Sequence, residues 1–271
     1  MQLSSYLQRI GFSGDPRPDL ATLRRVHRAH LEAIAYENLD VQLGRRVGFD
    51  LDAIFSKLVT ARRGGWCYEM NGLLAWALEE MGFEVTRLAG AVLRDRSGDE
   101  TIGSHLALCV HLDAPYLADV GFGDGIVEPA RIMAGEFHQD EFAFHFERLD
   151  PAWWRFHNQP HGGAASFDFQ LSEARADVLA RRCEWLQTSP ESGFVRTSVC
   201  QRYVDGELRV LRGCVLKIIH GTHIERHIVD SLPDYRALMQ SMFAIELSKA
   251  ESEMLWSKAI ARHRDWLGEQ T

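Results

Sequence analysis

Cysteine is sparse in this 271-residue chain and shows no pairing pattern: five residues, at 67, 109, 183, 200 and 214, with no CxxC among them. That spacing excludes a disulfide framework and a zinc ribbon, and free thiols in a reducing compartment are the expectation. Basic blocks are missing too. Lys and Arg total 30 against 38 Asp and Glu, a net charge of −8, and the densest basic clusters are only Ala61-Arg62-Arg63 and Ala180-Arg181-Arg182. Nucleic acid as a partner wants a basic face, so that class is excluded. No apolar stretch approaches the ~20 residues that cross a bilayer, which excludes a membrane span. The first residues, Met1 to Tyr6, hold neither a charged leader nor an apolar run, so a cytoplasmic protein is expected. No internal repeat, low-complexity tract or long Pro/Gly linker appears.

What is present is an ordinary globular mix, 46% hydrophobic and 25% charged, on a chain long enough to bury its own core. The apolar period changes along it. Behind Asp19, a good N-cap, Leu20, Leu23, Val26, His27, His30, Leu31 and Ile34 recur at helical spacing. Leu51 to Val59 repeats the pattern, and Cys67 to Met81 predicts a third helix with Gly82 as its C′ residue. After Gly82 the period drops to two. Glu84 to Arg94, Ser104 to Leu112 and Tyr116 to Val120 read as strands, with further short strands between Glu141 and Phe169. Val199 to Val204 and Leu208 to Leu211 flank Asp205-Gly206 as a tight hairpin, and Val215 to Ile219 with Ile224 to Val229 flank a turn at Gly221. Helix returns at the end. Pro233 reads as a first helical residue, and Ser248 with Glu251 forms a capping box. Helices, then strands, then strands closing with helices is an α+β order, with three regions at 1–83, 84–190 and 191–271.

The stretch richest in chemistry is Arg62-Arg63-Gly64-Gly65-Trp66-Cys67-Tyr68-Glu69-Met70-Asn71. Two glycines allow a sharp turn before a helix. Cys67 then sits at the first helical turn, where unpaired N–H groups and the helix dipole favour thiolate over thiol. The bland alternative is a small buried thiol that starts a core helix. A thiolate nucleophile needs a base and something to orient it. His105, on the strand face opposite the leucine stripe, is the candidate base. Asp119, near the end of the next strand, is the candidate orienter. Whether they share a face depends on register, because an odd slip separates them. Structural roles for both remain open at this point, a satisfied strand histidine and a turn-forming aspartate. Metal is the rival use of such residues, but Cys67, His105 and Asp119 lack ligand spacing. His220, His223 and His227 span a turn and read as a solvated hairpin. Gly121-Phe122-Gly123-Asp124-Gly125 lacks the helix and distant acid of a dinucleotide fingerprint, and reads as a tight turn beside a pocket. Glu37 and Arg63 form either a buried pair that holds the Gly-Gly turn or, by default, a solvated one.

Arg63-Gly64-Gly65-Trp66-Cys67-Tyr68-Glu69-Met70-Asn71 resembles the RGGxCxExN signature of the arylamine N-acetyltransferases. Tyr36-Glu37-Asn38-Leu39-Asp40, Ser104-His105-Leu106 and Asp119-Val120-Gly121-Phe122-Gly123 follow the family's order, and the likeness runs over nearly the whole chain. The resemblance implies an N-terminal helical bundle, a central antiparallel β-barrel-like domain and a C-terminal α/β lid around a cysteine-protease-like core. It implies a catalytic triad of Cys67, His105 and Asp119, and no metal. It implies ping-pong transfer of acetyl from acetyl-CoA, through an acetyl-cysteine thioester, to arylamines, arylhydrazines and N-hydroxyarylamines. Substrate positions fall on Tyr36, Tyr68, Val92, Ser104, Gly121, Phe122 and Phe194, and coenzyme A positions on Gly123, Asp124 and Gly125. Tyr36 stands where a phenylalanine is commoner. Two rivals accompany this reading: a protease-like Cys-His-Asp hydrolase, and an inactive protein that kept the fold.

Overall fold

The computed structural model describes residues 1–268; positions 269–271 of the third expected region lie outside them. The helix Leu20–Ala33 starts where Asp19 accepts a hydrogen bond from Thr22 N at 2.7 Å, a cap worth about 1 kcal/mol. Its buried face holds Leu23, Val26 and Leu31, and also His27 and His30. The helix expected over 51–59 is two pieces: α-helical Leu51–Phe55, then a π-helical turn Ser56–Thr60. Cys67–Glu80 is helical, with Gly82 at φ +88 just beyond it. Every residue from Cys67 to Leu78 is buried. The apolar stripe read from the sequence is therefore one side of a helix that is covered all round.

The main sheet has eight antiparallel strands. In spatial order they are Ala130–Arg131, Pro115–Ala118, Ile102–His111, Glu84–Val92, Ser166–Gln170, Trp153–His157, Phe142–Arg148 and Gly135–Gln139. Glu84–Val92 stops two residues short of expectation because Leu93 is left-handed, at φ 53. Phe142, Phe144, Phe146, Phe156, Phe167 and Phe169 fill the core beneath it. Register now decides the open question about His105 and Asp119. Leu108 faces Ala118, so the pairing extrapolates to place His105 opposite position 121. Asp119 lies two residues from there, on the same face.

A second sheet runs Tyr36–Glu37, Val199–Val204, Glu207–Arg212, Val215–His220 and His223–Ile228. Its first hairpin turns at Asp205 (φ 53) and Gly206 (φ 80), the two left-handed residues of a type I′ turn. The edge strand Tyr36–Glu37 is unforeseen, since this segment reads as the end of a helix. It pairs with Val199–Val204 and so ties the first third of the chain to the last. Helices Leu232–Phe243 and Lys249–Gly268 close the fold. Ser231 caps the first of them, which puts Pro233 at the second helical position instead of the first. Ser248 and Glu251 cap the other reciprocally, at 2.8 and 3.2 Å. The architecture is α+β, as expected.

Candidate active site

The backbone leading into Cys67 is wedged against residues 35–37. Glu37 N donates to Gly65 O at 2.8 Å, and Gly65 N donates to Ala35 O at 3.3 Å. A Cβ on Gly64 would lie 2.2 Å from the Ala35 carbonyl oxygen. Neither Gly64 nor Gly65 has a positive φ; the left-handed residue is Arg62, at φ 53. The glycines are there for close approach, not for the turn the sequence reading assigned them. The Glu69 carboxylate accepts from Trp66 N at 3.3 Å and caps the helix from inside. Cys67 is thus the first helical residue, and its N–H has no acceptor within the helix.

Cys67, His105 and Asp119 come together, each no more than 3% exposed. His105 Nε2 lies 2.6 Å from Asp119 Oδ2, and Cys67 lines the same cleft as the ring. With Nε2 taken by Asp119, Nδ1 is the ring nitrogen left for Cys67. Burial alone lowers the imidazole pKa. The charge and hydrogen bond of Asp119, with Cys67, outweigh it and raise the pKa from 6.5 to about 10. Asp119 moves the other way: burial raises it, but His105, Asn71 and Gly121 bring it below its ordinary value.

Two residues outside the expected set hold Asp119, one at its carboxylate and one at its main-chain N–H. Asn71 Nδ2 donates to Asp119 Oδ1 at 2.7 Å and to Leu106 O at 2.6 Å, while its Oδ1 accepts from Val120 N at 3.0 Å. Asn71 stands four residues after Cys67, on the same helix face, so its place in the nine-residue motif was the available signal. His27 accepts from Asp119 N at 3.0 Å. No signal marked it, because it falls in an apolar stripe and reads as core. Gly121 completes the seat: its N–H donates to Asp119 Oδ1 at 2.9 Å. A Cβ there would come within 2.7 Å of Cys67 Cα.

A cleft of about 350 Å³ opens over the cysteine. Tyr36, Val92, Ser104, Gly121, Phe122 and Phe194 line it together with Cys67 and His105. Phe122 meets the His105 ring edge-on, with centroids 5.1 Å apart. Tyr68 does not reach the cleft. It is fully buried against Trp66 and Phe49, and its hydroxyl donates to Gly103 O at 2.6 Å. Among the three coenzyme candidates only Asp124 lines the cleft. Its buried carboxylate accepts from Asn158, Gly163 and Gln201. A second chamber of about 690 Å³ adjoins the first and shares Asp124, Gly163, Thr197, Val199, Gln201 and Arg212 with it. Lys217, Arg226 and Arg262 add cationic wall, beside His161, His263 and Trp266.

Behind the elbow, Glu37 is 1% exposed and lies 3.5 Å from Arg63, which overturns the solvated-pair default. The pair belongs to a larger network. Lys57 bridges Asp40 and Glu69 at 2.8 Å each, and Arg63 also reaches Glu251 of the last helix at 3.5 Å. Burial lifts the Glu69 pKa to about 7 even against Lys57. His220, His223 and His227 lie along the last hairpin, where His223 and His227 face Glu225. Among the described residues, no cluster of three or more His, Cys, Asp or Glu is placed to hold a metal ion. No helix among them is long and apolar enough to cross a membrane.

A family model for N-acetyltransferases matches residues 19–252. An arylamine N-acetyltransferase of Mycolicibacterium smegmatis is 37% identical, over 91% of this chain and 93% of its own. Arylamine N-acetyltransferase 2 of Mesocricetus auratus is 28% identical over 98% of each. Among solved structures, Mycobacterium marinum arylamine N-acetyltransferase in complex with CoA superposes with a TM-score of 0.86 at 29% identity, covering 95% of this chain and 98% of that one.

Proposed function

This chain belongs to the arylamine N-acetyltransferases and is therefore an acyltransferase; from that premise we propose that Cys67, His105 and Asp119 run a two-step transfer through an acetyl-cysteine. In the first step the Cys67 thiolate attacks the thioester carbonyl of acetyl-CoA. The oxyanion finds the free N–H of Cys67. Coenzyme A leaves as a thiol, taking its proton from the His105 imidazolium. In the second step the nitrogen of an arylamine attacks acetyl-Cys67. Neutral His105 takes the amine's proton, the amide departs, and the thiolate–imidazolium pair is restored. Asp119 holds the ring with Nδ1 toward sulfur in both steps.

The single observation that carries this reading is the buried His105 ring, held by Asp119 Oδ2 at 2.6 Å and lining the cleft beside Cys67. An imidazole that holds its proton at neutral pH favours thiolate beside it. The aromatic wall of Phe122, Phe194 and Tyr36 suits a flat acceptor and shields the thioester from water. Arylamines, arylhydrazines and N-hydroxyarylamines, including foreign ones, fit that wall. The cationic chamber takes the coenzyme phosphates, and the shared wall passes the pantetheine arm to Cys67. This puts the coenzyme against Arg212 and Lys217 more than against Gly123 or Gly125. The regions 1–83, 84–190 and 191–271 then serve as nucleophile carrier, carrier of His105 and Asp119, and lid, in a cytoplasmic enzyme.

Incubation with acetyl-CoA and no acceptor tests the reading. Intact mass should gain one acetyl group, lost in Cys67→Ser and discharged by an arylamine. Peptide cleavage with no adduct would move the reading to the hydrolase.

A further inference from the structure

His27 is a residue the mechanism above does not use. It is fully buried on the helix Leu20–Ala33. Its Nδ1 lies 3.0 Å from Val127 O and its Nε2 lies 3.0 Å from Asp119 N. A carbonyl only accepts and a backbone N–H only donates. Nδ1 therefore carries the proton and Nε2 offers its lone pair, so a single neutral tautomer satisfies both ends.

Those two ends bound one loop. The ladder of Pro115–Ala118 stops at Ala118, opposite Leu108, so the buried N–H of Asp119 is the first without a strand partner, and such an N–H must find an acceptor elsewhere. Val127 closes the same segment eight residues later. Between them sit Gly121 under Cys67, Phe122 against His105, and Asp124 on the cleft wall. The neighbouring Arg28 pins the loop's exit through Glu128 at 3.0 Å.

We propose that His27 is a positioning residue for the acetyl transfer: its neutral imidazole clasps both ends of the 119–127 loop and so seats Asp119 beneath His105. This rests on the Cys67, His105 and Asp119 reading above. Burial supports it by driving the imidazole pKa down to about 4, although Val127, Asp119 and Glu128 act upward, while the adjacent His30 is also held neutral by burial. A cationic ring would turn a second N–H against the N–H of Asp119 and open the clasp.

The test uses the full-length chain and three readouts. Nitrogen-15 histidine NMR should find one ring protonated at Nδ1 and bare at Nε2 from about pH 5 to about pH 8, a signal absent from His27→Gln. His27→Leu should slow alkylation of Cys67 by iodoacetamide at about pH 6 and lower kcat about 10- to 100-fold. KM for acetyl-CoA should stay within about twofold. His27→Gln, whose amide offers one acceptor and one donor, should recover most of that loss. An Nε2-protonated or cationic ring overturns the proposal. So does a folded leucine variant that keeps both rates, or a folded glutamine variant as slow as the leucine one. If the leucine variant does not fold, the tautomer and the glutamine variant decide. Wild-type Cys67 that takes no acetyl group refutes the triad reading itself; an acetylated wild type with unaffected variants refutes only the role of His27.

Discussion

Replacing Asp119 by asparagine probes the site most directly. The carboxylate and Cys67 hold His105 at about 10 instead of 6.5, against burial that pulls the other way. This biases the ring toward the imidazolium at neutral pH. In Asp119→Asn the amide oxygen still accepts from Asn71 and Gly121, where Oδ1 sits now. Its NH2 must then face His105 Nε2. That nitrogen becomes an acceptor, the ring proton moves to Nδ1, and it points at the Cys67 sulfur. The base is lost with the shape unchanged. We expect kcat/KM to fall about 10³- to 10⁴-fold. Rapid-quench mass spectrometry of acetyl-Cys67 and the pH profile of its alkylation read this out. Stability carries a second signature. His105 is raised, so the pair's full contribution is present below about pH 6.5 and is lost as pH rises toward about 10. Asp119 is depressed, so the contribution is also lost as pH falls through its folded value, below the ordinary 3.8. Urea unfolding of the asparagine variant should lack both slopes. A folded variant within tenfold of wild type on acetylation and alkylation would refute the reasoning.

Three further outcomes are expected. Lys57→Met strands the Glu69 and Asp40 carboxylates that Lys57 now bridges and should cost about 3–5 kcal/mol in urea unfolding; adding Glu69→Gln should return part of it. Gly121→Ala puts a Cβ 2.6 Å from Asn71 Nδ2 and 2.7 Å from Cys67 Cα; kcat should drop about 100-fold, read by steady-state acetylation, and the thermal unfolding midpoint should fall as well because the Cys67 main chain must move. The double change Arg212→Ala and Lys217→Ala should raise KM for acetyl-CoA about tenfold or more and leave turnover with p-nitrophenyl acetate, which lacks phosphates, within about twofold. Equal losses with both donors would remove the coenzyme from that chamber.

Much of the fold is legible locally. Asp19, Gly82, Asp205-Gly206 and the Ser248/Glu251 box act within a few residues of chain, and each occurs where expected. Tyr36–Glu37 was missed because two residues carry no period, and Val199–Val204, more than 160 residues away, makes them a strand. Lys57 was missed because a half-buried lysine in a helical run reads as surface until Asp40 and Glu69 close around it.

Residue types and spacing alone determined that a cysteine opens a central helix, that a histidine lies on a strand and an aspartate near the end of the next, and that the sequence holds no basic block or long apolar run. These are short-range properties, set by backbone preferences and by the alternation of side chains along a strand. Tertiary structure decided the rest. Register put Asp119 on the His105 face, packing against residues 35–37 explained Gly64, and Asp119 acquired Asn71 at its carboxylate and His27 at its main-chain N–H. The physical reason is distance along the chain: a hydrogen bond between positions 27 and 119 leaves no trace in the periodicity of either segment, because each partner satisfies its local pattern without the other.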